Sequence, residues 1–105
     1  MILYNVTINI DYAVEEEWLS WMQTVHIPDL MNTGLFLDSK LCRIHADEEG
    51  GKSYSVQYLL KNWEDYNTYL NDFSEKLQKE HSQKYANKFV AFRTVLEVVH
   101  HIKSE

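Results

Sequence analysis

The sequence predicts an α+β domain of order βαββαβ: a four-stranded antiparallel sheet with two helices on one face. Three observations predict it. The chain opens on period-two alternation in Ile2-Leu-Tyr-Asn-Val-Thr-Ile-Asn-Ile10. Two helical stripes follow, separated by a pair of strand segments. The chain then closes on Phe89-Val-Ala-Phe-Arg-Thr-Val-Leu-Glu-Val-Val99, a strand apolar on both faces. Right-handed crossovers put both helices on the same side of such a sheet. A last strand that is greasy on both sides therefore implies that the second sheet face is covered too.

Each element has its own signal. In the first strand Ile2, Tyr4, Val6, Ile8 and Ile10 share one face. Asp11 offers an acceptor at a helix start, and Glu15, Glu16 and Glu17 suit the positive end of the helix. Val14, Trp18, Trp21, Met22 and Val25 recur at helical spacing. Pro28 disfavours helical geometry at Ile27, which predicts an interruption, with a short continuation ending at Gly34 in the left-handed cap position. Residues 35–46 and 53–61 read as a hairpin around Asp47-Glu-Glu-Gly-Gly-Lys52, the Gly pair supplying positive φ and the acids keeping the loop wet. Asn62 is an N-cap for a second helix with the stripe Trp63, Tyr66, Leu70, Phe73 and Leu77. A polar stretch, residues 80–88, leads into the last strand. The second sheet face is then expected to carry Asn5, Thr7, Asn9, Ser55 and Gln57, with Phe89, Ala91, Arg93, Val95, Glu97 and Val99 from the last strand. Apolar side chains in that number form a patch that monomers rarely leave bare, so a two-fold homodimer stacked sheet to sheet is the simplest solution.

Composition bounds the rest. At 105 residues the chain is a single domain, 1–105, with one core. A net charge of −6 without a Lys/Arg cluster argues against nucleic acid as a partner. One cysteine, Cys42, excludes an internal disulfide. No apolar run approaches a membrane span and the N-terminus lacks the marks of a signal peptide, so a soluble cytoplasmic protein is expected.

The motifs carry a resemblance. Trp18-Leu-Ser-Trp-Met-Gln-Thr-Val-His26-Ile-Pro-Asp, followed by Thr33-Gly-Leu-Phe36, resembles the first-helix region of the dimeric α+β barrel superfamily. Together with Tyr4-Asn-Val-Thr7, Tyr54-Ser-Val-Gln-Tyr58 and Lys88-Phe-Val-Ala-Phe-Arg-Thr94, the chain is similar to a family of short bacterial proteins, domain of unknown function 4286. The resemblance implies a ferredoxin-like subunit paired sheet to sheet, and no reaction. More distant members include cofactor-independent monooxygenases, haem-degrading oxygenases and isomerases, so activity must be argued from a site.

His26 shares a helix face with Trp18 and Met22 just before Pro28, a fitting place for an acid/base group. Packing at the helix end is its commoner role. Arg93 and Glu97 share a strand face but stand about 13 Å apart, too far to pair. Arg93 could grip an anionic ligand or satisfy an interface carboxylate, and with Asn5, Gln57, Glu97, Tyr58 and Trp18 it completes the candidate ligand set. Aromatics including Tyr4, Trp18 and Tyr58 could line a cavity between sheet and helices, although core packing is more usual. Metal binding is poorly supported: His100 and His101 point apart, and His45 and His81 lack ligand spacing. The haem degraders use a strand-one Asn, a Trp and a His ligand, but the spacing of Asn5, Trp63 and His81 does not reproduce that pattern, and no cofactor is expected. Two readings follow. One is a homodimeric barrel binding a small ligand or a protein partner, with its aromatic set tightly packed. The other is a cofactor-independent monooxygenase or isomerase with an open pocket of roughly 300 Å³ or more and His26 or Arg93 on its wall.

Overall fold

A computed structural model describes residues 1–104. Strand β1 (Ile2–Asp11) leads through a tight turn into α1 (Glu15–Trp21), a π-helical turn (Met22–His26) and α2 (Ile27–Met31). Strands β2 (Asp38–Arg43) and β3 (Gly51–Leu60) form the hairpin; α3 (Trp63–Asp72), α4 (Ser74–Lys84) and β4 (Phe89–Glu97) complete the chain. The sheet order is β2-β3-β1-β4 and every pairing is antiparallel. The fold is therefore the ferredoxin-like α+β arrangement.

Alternation in β1 translates directly into burial: Ile2, Tyr4, Val6, Ile8 and Ile10 are all buried against the helices. Tyr54, Val56, Tyr58 and Leu60 of β3 join them, as do Trp18, Met22, Leu30, Tyr69 and Leu77. Asp11 accepts from the Ala13 N–H at the start of the tight turn that leads into α1, and Asn62 accepts from the Asp65 N–H at the start of α3. Gly34 and Gly50 have φ of +79°. Gly51 does not share that conformation but is needed for another reason. A Cβ there would meet the Ile10 carbonyl oxygen at 2.5 Å, at the end of the β1–β3 ladder, and that oxygen is backbone and not a flexible side chain. Gly51→Ala should therefore cost about 1–3 kcal/mol, read as a drop in the thermal midpoint.

Four expectations are corrected. First, the chain stays helical through Ile27 (φ −62°, ψ −45°) despite Pro28. The preceding turn is π-helical, with the Ile27 N–H bonded to the Met22 carbonyl, and the wider turn accommodates a proline ring that crowds the carbonyl four residues back in an α-helix. Second, one acid of the Asp47–Lys52 loop turns back onto the sheet while Asp47 and Glu49 stay exposed: Glu48 accepts from Ser53 Oγ, Ser53 N–H and Asn9 Nδ2. Third, the second helical region bends at Phe73 (φ −130°) and runs on to Lys84; Trp63 and Leu70 are exposed, and Tyr69, His81 and Tyr85 are buried. Fourth, β4 has the opposite parity. Arg93 stands opposite Val6, Ala91 opposite Ile8 and Phe89 opposite Ile10, so Phe89, Ala91, Arg93, Val95 and Glu97 share the helix side. Val90, Phe92, Thr94 and Leu96 face the open side with Leu3, Asn5, Thr7 and Asn9. A strand apolar on both faces carries no parity of its own; its register comes from pairing with β1. The open face is apolar as expected, through a different set of residues.

Candidate functional site

The helix-side face encloses a cavity of about 30 Å³, room for one or two waters. Strands contribute Tyr4, Val6 and Ile8 (β1), Tyr58 (β3), and Phe89, Ala91 and Arg93 (β4). The helical layer contributes Met22, His26 and Leu30 from one side, and Tyr69, Gln78 and His81 from the other. The lower helical row, Trp18-Met22-His26-Leu30, advances in steps of four. On an α-helix each such step drifts by about 40°. The π turn takes up that drift, and it keeps His26 in line with Trp18 and Met22.

His26 is 9 % exposed and stacks on Trp21, ring centroids 4.9 Å apart. Its Nδ1 is buried without a hydrogen-bond partner. Across the cavity His81 lies 5.6 Å away, ring to ring, and edge-on to Phe89 at 4.5 Å. The Trp18 indole N–H donates to His81 Nε2 at 2.9 Å, which places the proton of the neutral ring on Nδ1. Both histidines are neutral at pH 7. Burial, reinforced by the Arg93 guanidinium, lowers His26 to about 4. For His81, burial acts first, then His26 and Arg93, again to about 4. Burial also pushes the Tyr58 and Tyr69 phenols well above their usual range, so both keep their protons. At the rim Arg93 Nε donates to the Tyr4 hydroxyl at 3.0 Å. The wall thus combines a cation, protonated phenols and neutral imidazoles.

Acid sensitivity follows from these shifts. An unfolded histidine titrates near 6.5, whereas the folded pair resists protonation down to about 4. Between those values the unfolded chain binds more protons, so stability is highest above pH 6.5 and falls as pH falls. By pH 5 the loss should be about 2 kcal/mol per histidine. Urea midpoints at pH 7, 6 and 5 test it, and His26→Phe should show a smaller loss than the wild type.

The residues picked out from sequence divide among four places. His26, Tyr58 and Arg93 meet at the cavity. Trp18 stands behind it and holds His81. Asn5 and Gln57 lie on the opposite sheet face in a ladder of side chains: Ser55 Oγ donates to Asn5 Oδ1, Gln57 Nε2 to Ser55 Oγ at 3.2 Å, and Asn5 Nδ2 to Thr7 Oγ1 at 3.0 Å. Glu97 sits at the far end of β4 and accepts from the Trp63 indole at 3.2 Å. Arg93 and Glu97 therefore share neither a partner nor the dimer-facing side assigned to them. His81, Tyr69 and Gln78 were missed as a group. The series Tyr69, Phe73, Leu77, His81 and Tyr85, each four apart, was the signal that could have found them. Among the described residues, no three of His, Cys, Asp or Glu converge on a common point, and no helix is long and apolar enough to cross a membrane.

Comparison with known proteins places the fold among small proteins of varied chemistry. HapK from Hahella chejuensis is 10 % identical with a TM-score of 0.74, over 100 % of this chain and 99 % of that one. A dimeric ferredoxin-like protein from an uncultured marine organism is 10 % identical with a TM-score of 0.76, over 96 % and 97 %. The heme-degrader MhuD from Mycobacterium tuberculosis, solved with two hemes in its active site, is 14 % identical with a TM-score of 0.69, over 98 % and 100 %. No curated protein sequence matches the chain. The sequence profile of one family does match, across residues 1–99, and the chain belongs to that family, described as a domain of unknown function (DUF4286).

Proposed function

We propose that the chain is a cytoplasmic homodimer that binds a small ligand between its sheet and its helices. The observation that carries the binding site is the buried, unpartnered Nδ1 of His26 on a cavity wall shared with Arg93. A buried polar atom without a partner costs about 1–3 kcal/mol, and the fold retains it beside a π turn, a feature that recurs at functional sites. The homodimer is supported by the exposed Val90, Phe92 and Leu96 on the open sheet face and by similarity to proteins described as dimeric. An exposed free thiol at Cys42 suits a reducing compartment.

A haem does not fit these residues. His81 Nε2 is engaged by Trp18, and the cavity is far below the roughly 300–1,000 Å³ of pockets for larger ligands. The second reading, a cofactor-independent monooxygenase or isomerase with His26 as base, is favoured by the same free Nδ1. A group held near pH 4 is a weak base at neutral pH, so binding is the stronger reading. Native mass spectrometry on untagged protein from its own cells tests it. A dimer carrying a reproducible small-molecule adduct supports the reading; a bare dimer moves the weight to weakly held substrate and catalysis, and a clean monomer removes the homodimer.

A further inference from the structure

The pocket is one-sided in its chemistry. Arg93 is the cation on its wall, and among the described residues no carboxylate lies within 4.0 Å of it; the two ion pairs found there, Lys61–Asp65 and Lys84–Glu17, are elsewhere. In a chain of net charge −6, a guanidinium at a pocket rim without an acid beside it is a vacant anion partner. Its geometry is set by the sheet. Tyr4 stands opposite Val95 and Val6 opposite Arg93, so the Tyr4 and Arg93 side chains meet diagonally on one face. Because Arg93 Nε donates to the Tyr4 oxygen at 3.0 Å, the Tyr4 proton must point elsewhere. The Tyr4 hydroxyl is shared with Tyr69, so the donors left for an acceptor at the rim are the remaining N–H groups of the guanidinium. Deeper in, the walls are flat rings: His26, His81 and Phe89. The cavity of about 30 Å³ is small, but Met22, an unbranched thioether, lines it and can repack.

We propose that this pocket takes a small monocarboxylate, its two oxygens held by the Arg93 guanidinium at the rim and its short body directed toward the ring wall of His26, His81 and Phe89. The assignment rests on the ligand-binding reading above and narrows it to one chemical class. A carboxylate satisfies the guanidinium in the bidentate manner that arginine favours. A neutral amide of the same shape offers one acceptor and presents an N–H₂ to a donor-rich wall, leaving that wall partly unpaired.

The test is a titration of ¹⁵N-histidine-labelled protein at pH 7 with acetate and benzoate, and with acetamide and benzamide as neutral isosteres, followed by the imidazole nitrogen shifts. The expected result is saturable movement of the His26 and His81 signals with a carboxylate, and about tenfold or weaker binding of its amide. Arg93→Gln, at an exposed side chain, should weaken the carboxylate about tenfold or more, and Tyr4→Phe should weaken it less. Amides that match the carboxylates, with Arg93→Gln without effect, would overturn the anion class and leave the pocket standing. Shifts at His45, His100 and His101 alone would mean surface adsorption and overturn it as well. Silence at His26 and His81 with all four probes would overturn the carboxylate site, while an adduct in native mass spectrometry would still uphold the broader reading.

Discussion

Replacing Trp18 with alanine should remove most of the stability of this domain. Trp18 is 0 % exposed, packs on the Tyr54 ring at 5.1 Å and donates its indole N–H to His81. Truncating a buried Trp to Ala costs about 3–5 kcal/mol, against a total of about 5–15 kcal/mol for a domain. The cost belongs near the upper end, because buried His81 Nε2 also loses its donor. Trp18→Phe separates the two terms. It keeps most of the ring packing and removes the N–H, so its cost should be smaller, about 1–3 kcal/mol from the stranded His81 acceptor. Urea unfolding monitored by far-UV circular dichroism gives both values. A Trp18→Phe variant as stable as the wild type would mean that the Trp18–His81 bond contributes nothing and that His81 is held by its aromatic neighbours alone.

That bond also marks the limit of what could be read from sequence. Trp18 belonged visibly to a helical stripe, and His26 visibly shared its face, because both sit in a segment that starts at a capped end and keeps its apolar spacing. His81 was hidden inside Glu80-His-Ser-Gln-Lys-Tyr-Ala-Asn-Lys88, whose polar composition reads as a linker. It belongs to the four-apart row Tyr69, Phe73, Leu77, His81 and Tyr85, which runs on across the bend at Phe73 and is masked by the polar residues between its members. The same logic separates the strands. In β1 the apolar residues from Tyr4 to Ile10 alternate with Asn5, Thr7 and Asn9, so parity was legible; in β4 both faces are apolar, and only hydrogen bonding to β1 decides which side Arg93 takes. A cavity between sheet and helices was legible only as an alternative to core packing of the same aromatics. Its small volume was not, because volume depends on how rings such as Tyr58, Tyr69 and Phe36 interlock.

On the proposed dimer, the parity of β4 becomes a measurable difference between adjacent residues. Phe92→Asp should dissociate the dimer, while Arg93→Gln should leave it intact. Phe92 is 63 % exposed on the open face, between Val90 at 70 % and Leu96 at 44 %. Burying a phenylalanine contributes about 2 kcal/mol, and a two-fold axis counts every side chain twice. The aspartate adds a desolvation penalty on each subunit. A change of about 4 kcal/mol or more raises the dissociation constant about 1,000-fold, which sedimentation velocity at micromolar protein reads as a shift from dimer to monomer. Arg93 projects to the helix side, so its replacement removes nothing from a sheet-to-sheet contact. The two variants differ by one position in sequence and by the thickness of the sheet in space. If both dissociate the dimer, the contact does not run through the open face alone; if neither does, the subunits do not meet there, and Val90, Phe92 and Leu96 require a different cover.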